Sequence, residues 1–129
     1  MNMRYNRKPI YWDQAKRFLV KSDSFLKKII QSTDKKQYLT INSTPFQTLA
    51  NAIIGQQVSV ASASSMLKKL KTEINGISPA RIRGASERNL KNAGLSRQKI
   101  EYLRLLSDQF IRQPSYFSGL KRLDDEQVI

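Results

Sequence analysis

From Gln37 to Leu67 the chain carries no charged residue, yet ten Lys and Arg lie in residues 1–36 and ten more in residues 68–104. This silent window, QYLTINSTPFQTLANAIIGQQVSVASASSML, limits how the chain can fold. It contains Pro45, Gly55, Gln56, Gln57 and many hydroxyls. No apolar run in the chain approaches the ~18 residues of a membrane-spanning helix, so no membrane partner is expected. The economical reading is a buried central segment clasped by two basic flanks. The alternative is that Ser, Thr and Asn decorate an exposed face.

The flanks set the electrostatics. Lys plus Arg total 23 against 10 Asp plus Glu, a net charge of +13. At this size such a charge favours a polyanionic partner, most simply nucleic acid. Bulk RNA, an anionic membrane surface or plain colloidal solubility are the competing explanations. The chain has neither Cys nor His. It therefore has no disulfide framework, no thiolate nucleophile, no imidazole base and no Cys- or His-ligated zinc. Any catalysis would rest on carboxylates, Lys or Tyr. No Walker loop, GxGxxG or metal-ligand cluster is present, so no cofactor and no metal are expected.

The 129 residues suit a single domain, 1–129, with residues 1–10 as a flexible basic arm. That arm, MNMRYNRKPI, is not followed by an apolar stretch, as a secretory signal would be. The expected location is cytoplasmic, associated with the nucleoid in a bacterial cell.

Periodicity and caps predict an all-α fold. Residues 11–21 place Tyr11, Trp12, Ala15, Phe18 and Leu19 on one face, and residues 23–32 follow with Phe25, Leu26, Ile29 and Ile30. Residues 37–42, QYLTIN, read as a short strand or an extended link. Thr44-Pro45-Phe46-Gln47 is a helix start with a capping box, opening a helix with Phe46, Leu49, Ala50, Ile53 and Ile54. Ser59 caps a helix with Val60, Ala63, Met66, Leu67 and Leu70 inward. Ser78-Pro79 and Ser86 start short helices, the second ending at Gly94. Ser96 caps a longer one with Ile100, Leu103, Leu106, Phe110 and Ile111 on one side, stopped by Pro114. At the end, Asp124-Asp125-Glu126 reads as a cap and acidic first turn rather than a cation site. A helix needs ~12 residues to be more than marginal alone, so the chain reads as interrupted inside a domain.

The corner between the two central helices is Gly55-Gln56-Gln57-Val58-Ser59. Buried amides there would bind backbone groups and fix the corner; exposed ones would enter a groove and bond to base edges. Around this corner, PFQTLANAIIGQQVSVASASSMLKKL resembles the helix-hairpin-helix DNA glycosylase superfamily, in its 3-methyladenine DNA glycosylase II branch. Ser78-Pro79-Ala80-Arg81-Ile82, Leu90 to Ser96 and Lys99-Ile100-Glu101-Tyr102-Leu103 continue the resemblance in order. Tyr11-Trp12 and Asp23 with the following apolar helix resemble the family's opening.

The resemblance implies an all-α repair enzyme acting on double-stranded DNA with alkylated bases. Such an enzyme flips the base out of the duplex and hydrolyses its bond to the sugar, using a wedge residue to fill the vacated stack. Gln57 matches the wedge position, with Gln56 beside it and Ser59 starting the next helix. Lys99 is a candidate phosphate contact at a helix start, or a solvated helix residue. Tyr11 and Trp12 are candidates for a base pocket, or core aromatics. In the family a Gly-rich hairpin and then an essential Asp follow the segment resembling LDDEQVI. The resemblance therefore implies no catalytic residue within this chain.

Two functions follow as expectations. One is the amino-terminal portion of a DNA-3-methyladenine glycosylase, truncated before its helix-hairpin-helix and not catalytic alone. The other is a non-catalytic, basic, helical DNA-binding module; a helical RNA- or DNA-associated protein of accidental resemblance ranks last. An unfinished core would also invite self-association.

Overall fold

Helix starts are where this sequence commits itself most clearly, and Thr44 is the clearest. In the computed structural model, which describes residues 8–33, 35–40 and 42–128, the Thr44 hydroxyl accepts from the Gln47 N–H at 3.2 Å. The Gln47 side chain accepts in return from the Thr44 N–H, closing the capping box that opens α3 (Pro45–Gly55). The same device recurs along the chain. Ser59 caps α4 (Val60–Ile74), Ser78 caps α5 (Pro79–Gly84), Ser86 caps α6 (Glu87–Asn92) and Ser96 caps α7 (Arg97–Arg112), each accepting a backbone N–H. Between α6 and α7 the chain turns at Gly94, whose φ of 89° lies in the left-handed region that only glycine adopts without strain.

The chain divides into two compact units, Met1–Asn42 and Ser43–Ile129. The first holds α1 (Trp12–Ser22) and α2 (Ser24–Ser32), two helices packed on each other and joined at Asp23, whose carboxylate accepts from the N–H groups of Phe25 and Leu26. Residues 1–7 of the expected flexible arm lie outside the described residues. In the described part of that arm, Lys8 pairs with Asp13 and the Pro9 carbonyl accepts from Trp12 N–H. Neither helix contains a buried residue, and Tyr11, Phe18 and Leu19 are exposed.

The second unit contains the hydrophobic core. Phe46, Ala50 and Ile54 of α3 pack with Leu70 of α4, Ile77, Ile82 of α5, Leu90 of α6, Ala93, Leu95, and Ile100 and Leu103 of α7. Helix α7 runs through the middle, packed on α3, α5 and α6. Each fully buried Leu or Ile contributes about 1.5–3 kcal/mol relative to exposure. Ser107, the one buried polar residue among the described ones, satisfies itself by donating 2.7 Å to the Leu103 carbonyl one turn back. At its far end Phe110 meets Phe46 edge-on at 5.3 Å and stacks with Phe117.

The all-α expectation holds, and several local expectations do not. No strand forms among the described residues: 37–40 and 42 form an irregular link, with residue 41 outside the described set, because a strand needs a second segment to supply its ladder of hydrogen bonds. The silent window is mostly not buried. Among its described residues Phe46, Ala50 and Ile54 are fully in the core, and Ile53, Met66 and Leu67 pack against it half-buried, since a surface helix buries one stripe and leaves its other face in water. Val60, expected inward, is 89% exposed at the first turn of α4, and Leu49 and Ile111 are also exposed. Pro114 does end α7, but it also occupies the first position of α8 (Pro114–Gly119), where its missing N–H costs nothing. A 3-10 turn at Leu120–Arg122 follows. Finally Asp124 caps α9 (Asp125–Val128), accepting from Gln127 N–H at 2.9 Å.

Candidate nucleic-acid interface

Helix α3 ends at Gly55, and the chain must then reverse within a few residues to start α4. Gln56 takes an extended conformation (φ −63°, ψ 132°), and Gln57 sits in the left-handed region at φ 58°. A non-glycine residue there costs roughly 1–2 kcal/mol, and it persists only when its surroundings hold it. Both amides are exposed, so they do not fill the backbone-fixing role of buried corner residues. Ser59 closes the corner as the cap of α4, its hydroxyl accepting from Ser62 N–H at 3.1 Å. Gln56, Gln57 and Ser59 therefore share one exposed, uncharged turn.

What holds this turn is Lys99. Its backbone N–H is bound by the Ser96 cap, and its ammonium donates 2.7 Å to the carbonyl of Ile54, at the end of α3. A cation at a helix C-terminus satisfies an orphan carbonyl and complements the dipole. One of the three donors of Lys99 is thus spent on the corner.

Lys99 is not alone in this work. Arg81 donates to the carbonyl of Ile74, the last residue of α4, and Arg104 donates to that of Ala85, beyond α5, each at 3.1 Å. Arg83 pairs with Asp108 at 3.2 Å and Lys91 with Glu87 at 2.9 Å. Five of the thirteen Lys and Arg of the second unit are thus used internally, on helix ends and carboxylates.

In the first unit, Trp12 is half-buried and lines an apolar cavity of about 380 Å³ with Ala15, Lys16, Leu19, Ile30, Tyr38 and neighbouring residues. Its indole N–H is buried without a hydrogen-bond partner. Tyr11 does not line this cavity; it is 61% exposed and faces a separate shallow depression with Gln14, Ala15 and Phe18. The structure thus parts the two aromatic neighbours. Tyr38, which sequence patterning placed in a strand or link, takes Tyr11's expected place beside Trp12. Only its aromatic character in an otherwise extended link signalled that role.

The carboxylates are committed elsewhere. Asp23 and Asp124 cap helices, and Asp108 pairs with Arg83. The hydrogen bond from Lys8 holds Asp13 below the usual carboxylate range, helped by the charges of Arg17 and Lys16. Lys91 lowers Glu87 in the same way. Glu73, Glu101, Asp125 and Glu126 lie exposed on helices. Among the described residues, no group of His, Cys, Asp and Glu could hold a metal ion, and no helix is long and apolar enough to cross a membrane.

The family model of the HhH-GPD superfamily of base excision DNA repair proteins matches residues 50–125, more than half of the chain. The match includes the Gln56–Gln57 corner, Ser59 and Lys99, and excludes Tyr11 and Trp12. Among curated proteins, no relative matches the chain.

Proposed function

The chain belongs to the HhH-GPD superfamily of base excision DNA repair proteins, and from that membership we propose that it is the duplex-holding, base-flipping part of a DNA-3-methyladenine glycosylase. The observation that carries this reading is the exposed Gln57, held in a left-handed conformation at a corner braced by Lys99. A wedge must stand proud of the surface and keep its position when it enters the stack, because a flipped base leaves a gap that costs a few kcal/mol. Gln57 fits that role, and Gln56 beside it reaches the neighbouring base edges. Ser59 lies at the start of α4, where free N–H groups and the helix dipole favour a phosphate.

A 3-methyladenine base is electron-poor and carries positive charge in DNA. Electron-rich aromatic faces attract such a base. In this reading Trp12, with Tyr38 beside it, receives the base in the apolar cavity through its aromatic surface.

The chain does not break the glycosidic bond by itself in this proposal. Hydrolysis through an oxocarbenium-like sugar needs an unengaged carboxylate beside the sugar. The described carboxylates cap helices, pair with Lys or Arg, or stand on open helix surfaces. The activity test is incubation of the chain with a duplex containing 3-methyladenine, followed by assay for free base. The expected result is binding that weakens steeply with salt and no release above the spontaneous rate. Release of free base would overturn the non-catalytic reading. Absence of binding at low salt would overturn the DNA-holding reading.

A further inference from the structure

Residues 1–42 carry ten Lys and Arg against three Asp, so 10 − 3 = +7 of the total +13 lies in the first third of the chain, outside the span matched to the family. The remaining +6 is spread over residues 43–129, where five cations bond to helix ends and carboxylates. On α1, Lys16, Arg17 and Lys21 rim a shallow depression of about 370 Å³, floored by Val20 and by Ile30 of α2. Its single acid, Asp13, is already neutralised by Lys8.

This arrangement costs the isolated helix something. Arg17 and Lys21 are one turn apart, at the spacing where like charges repel. Lys16 is half-buried beside them along the apolar floor, and among the described residues the one carboxylate lining the depression, Asp13, is shared between these cations and Lys8, its hydrogen-bonded partner. A helix meant only to be soluble would place Glu at one of these positions. An anion in the depression removes the repulsion.

We infer that the Lys16–Arg17–Lys21 depression on the α1–α2 pair binds phosphodiesters of the DNA backbone, as an anchor separate from the Gln56–Gln57 corner. The apolar floor suits a sugar and the cationic rim suits the phosphates on either side of it. Such contacts hold the duplex without reading its sequence. The inference rests on the DNA-holding reading above and adds a second point of attachment to it.

The test is fluorescence anisotropy of the full chain with an undamaged duplex over a series of salt concentrations. The triple variant Lys16→Gln, Arg17→Gln, Lys21→Gln is compared with Lys27→Gln, Lys28→Gln, Lys35→Gln, which removes the same charge from elsewhere in the same unit. Each phosphate contact contributes about 0.9 to the slope of log affinity against log salt. The depression variant is expected to lose about 2–3 units of slope, and the control less than half of that. A charge-conserving Lys16→Arg, Arg17→Lys, Lys21→Arg variant is expected to keep the wild-type slope, which excludes misfolding as the cause. Equal losses in the two triple variants, or none in either, overturn the inference while leaving the DNA-holding reading intact. So does a loss confined to binding of anionic phospholipid vesicles. A wild-type chain that binds no duplex overturns both.

Discussion

The ammonium of Lys99, near the start of α7, donates 2.7 Å to the carbonyl of Ile54 at the end of α3, 45 residues earlier in the chain. One hydrogen bond thus ties the longest core helix to the turn that presents Gln56 and Gln57. Replacing Lys99 by Met keeps the stem and removes the donor, leaving a part-buried carbonyl without its partner. The expected cost is about 1–3 kcal/mol in urea unfolding, with Lys99→Arg losing less. Equal stability of Lys99→Met and wild type would show that the bond carries no weight.

Gln57 separates fold from function. Its φ of 58° strains any residue with a Cβ. Gln57→Gly is expected to leave the melting temperature unchanged or raise it, by up to about 1–2 kcal/mol of stability, while weakening base flipping. Gln57→Val, β-branched in the same conformation, is expected to destabilise. Calorimetry of the two variants checks the sign of each effect.

Burial ranks the apolar residues in a way their sequence positions do not. Ile82→Ala and Leu103→Ala each open a cavity in the core and are expected to cost about 2–5 kcal/mol. Val60→Ala, at a position almost fully in water, is expected to stay within about 0.5 kcal/mol of wild type. Denaturant midpoints of the three variants provide the comparison.

Two depressed, exposed carboxylates contribute modestly to the acid limb of stability. Lys8 lowers Asp13 and Lys91 lowers Glu87, so both are charged in the folded state at pH values where the unfolded chain has begun to take up protons. A depressed folded pKa stabilises above the unfolded value, and that contribution disappears as pH falls through the folded one. With no His in the chain, no side chain has an ordinary pKa near 6.5. The thermal midpoint is expected to be level between about pH 8 and 5.5 and to fall below about pH 4. Glu87→Gln is expected to make that fall slightly shallower, as an exposed pair should. A drop between pH 7 and 6 would contradict this assignment.

The caps were readable because capping is local: Thr44, Ser59, Ser78, Ser86 and Ser96 each bond within three residues of themselves. Facing was less readable. Val60 and Leu49 belong to apolar runs that suggest burial, but which stripe of a helix meets the core depends on partners far along the chain. The support of the corner was hidden for the same reason, since nothing near Lys99 in sequence points to Ile54. The charge-free window illustrates both limits. Its helices and their corner were legible, whereas its burial was not, because small polar residues such as Ser62, Ser64 and Ser65 suit an exposed helix face as well as a packed one.

The most direct test of the account is fluorescence from 2-aminopurine placed beside a 3-methyladenine lesion in duplex DNA, read at saturating chain. Unstacking of the neighbour as the lesion leaves the helix brightens the probe. A clear rise is expected with the wild-type chain and little or none with Gln57→Ala at equal occupancy, with no free base released in either case. A wild-type complex that forms without any rise, or a Gln57→Ala complex that brightens as fully as wild type, would contradict it.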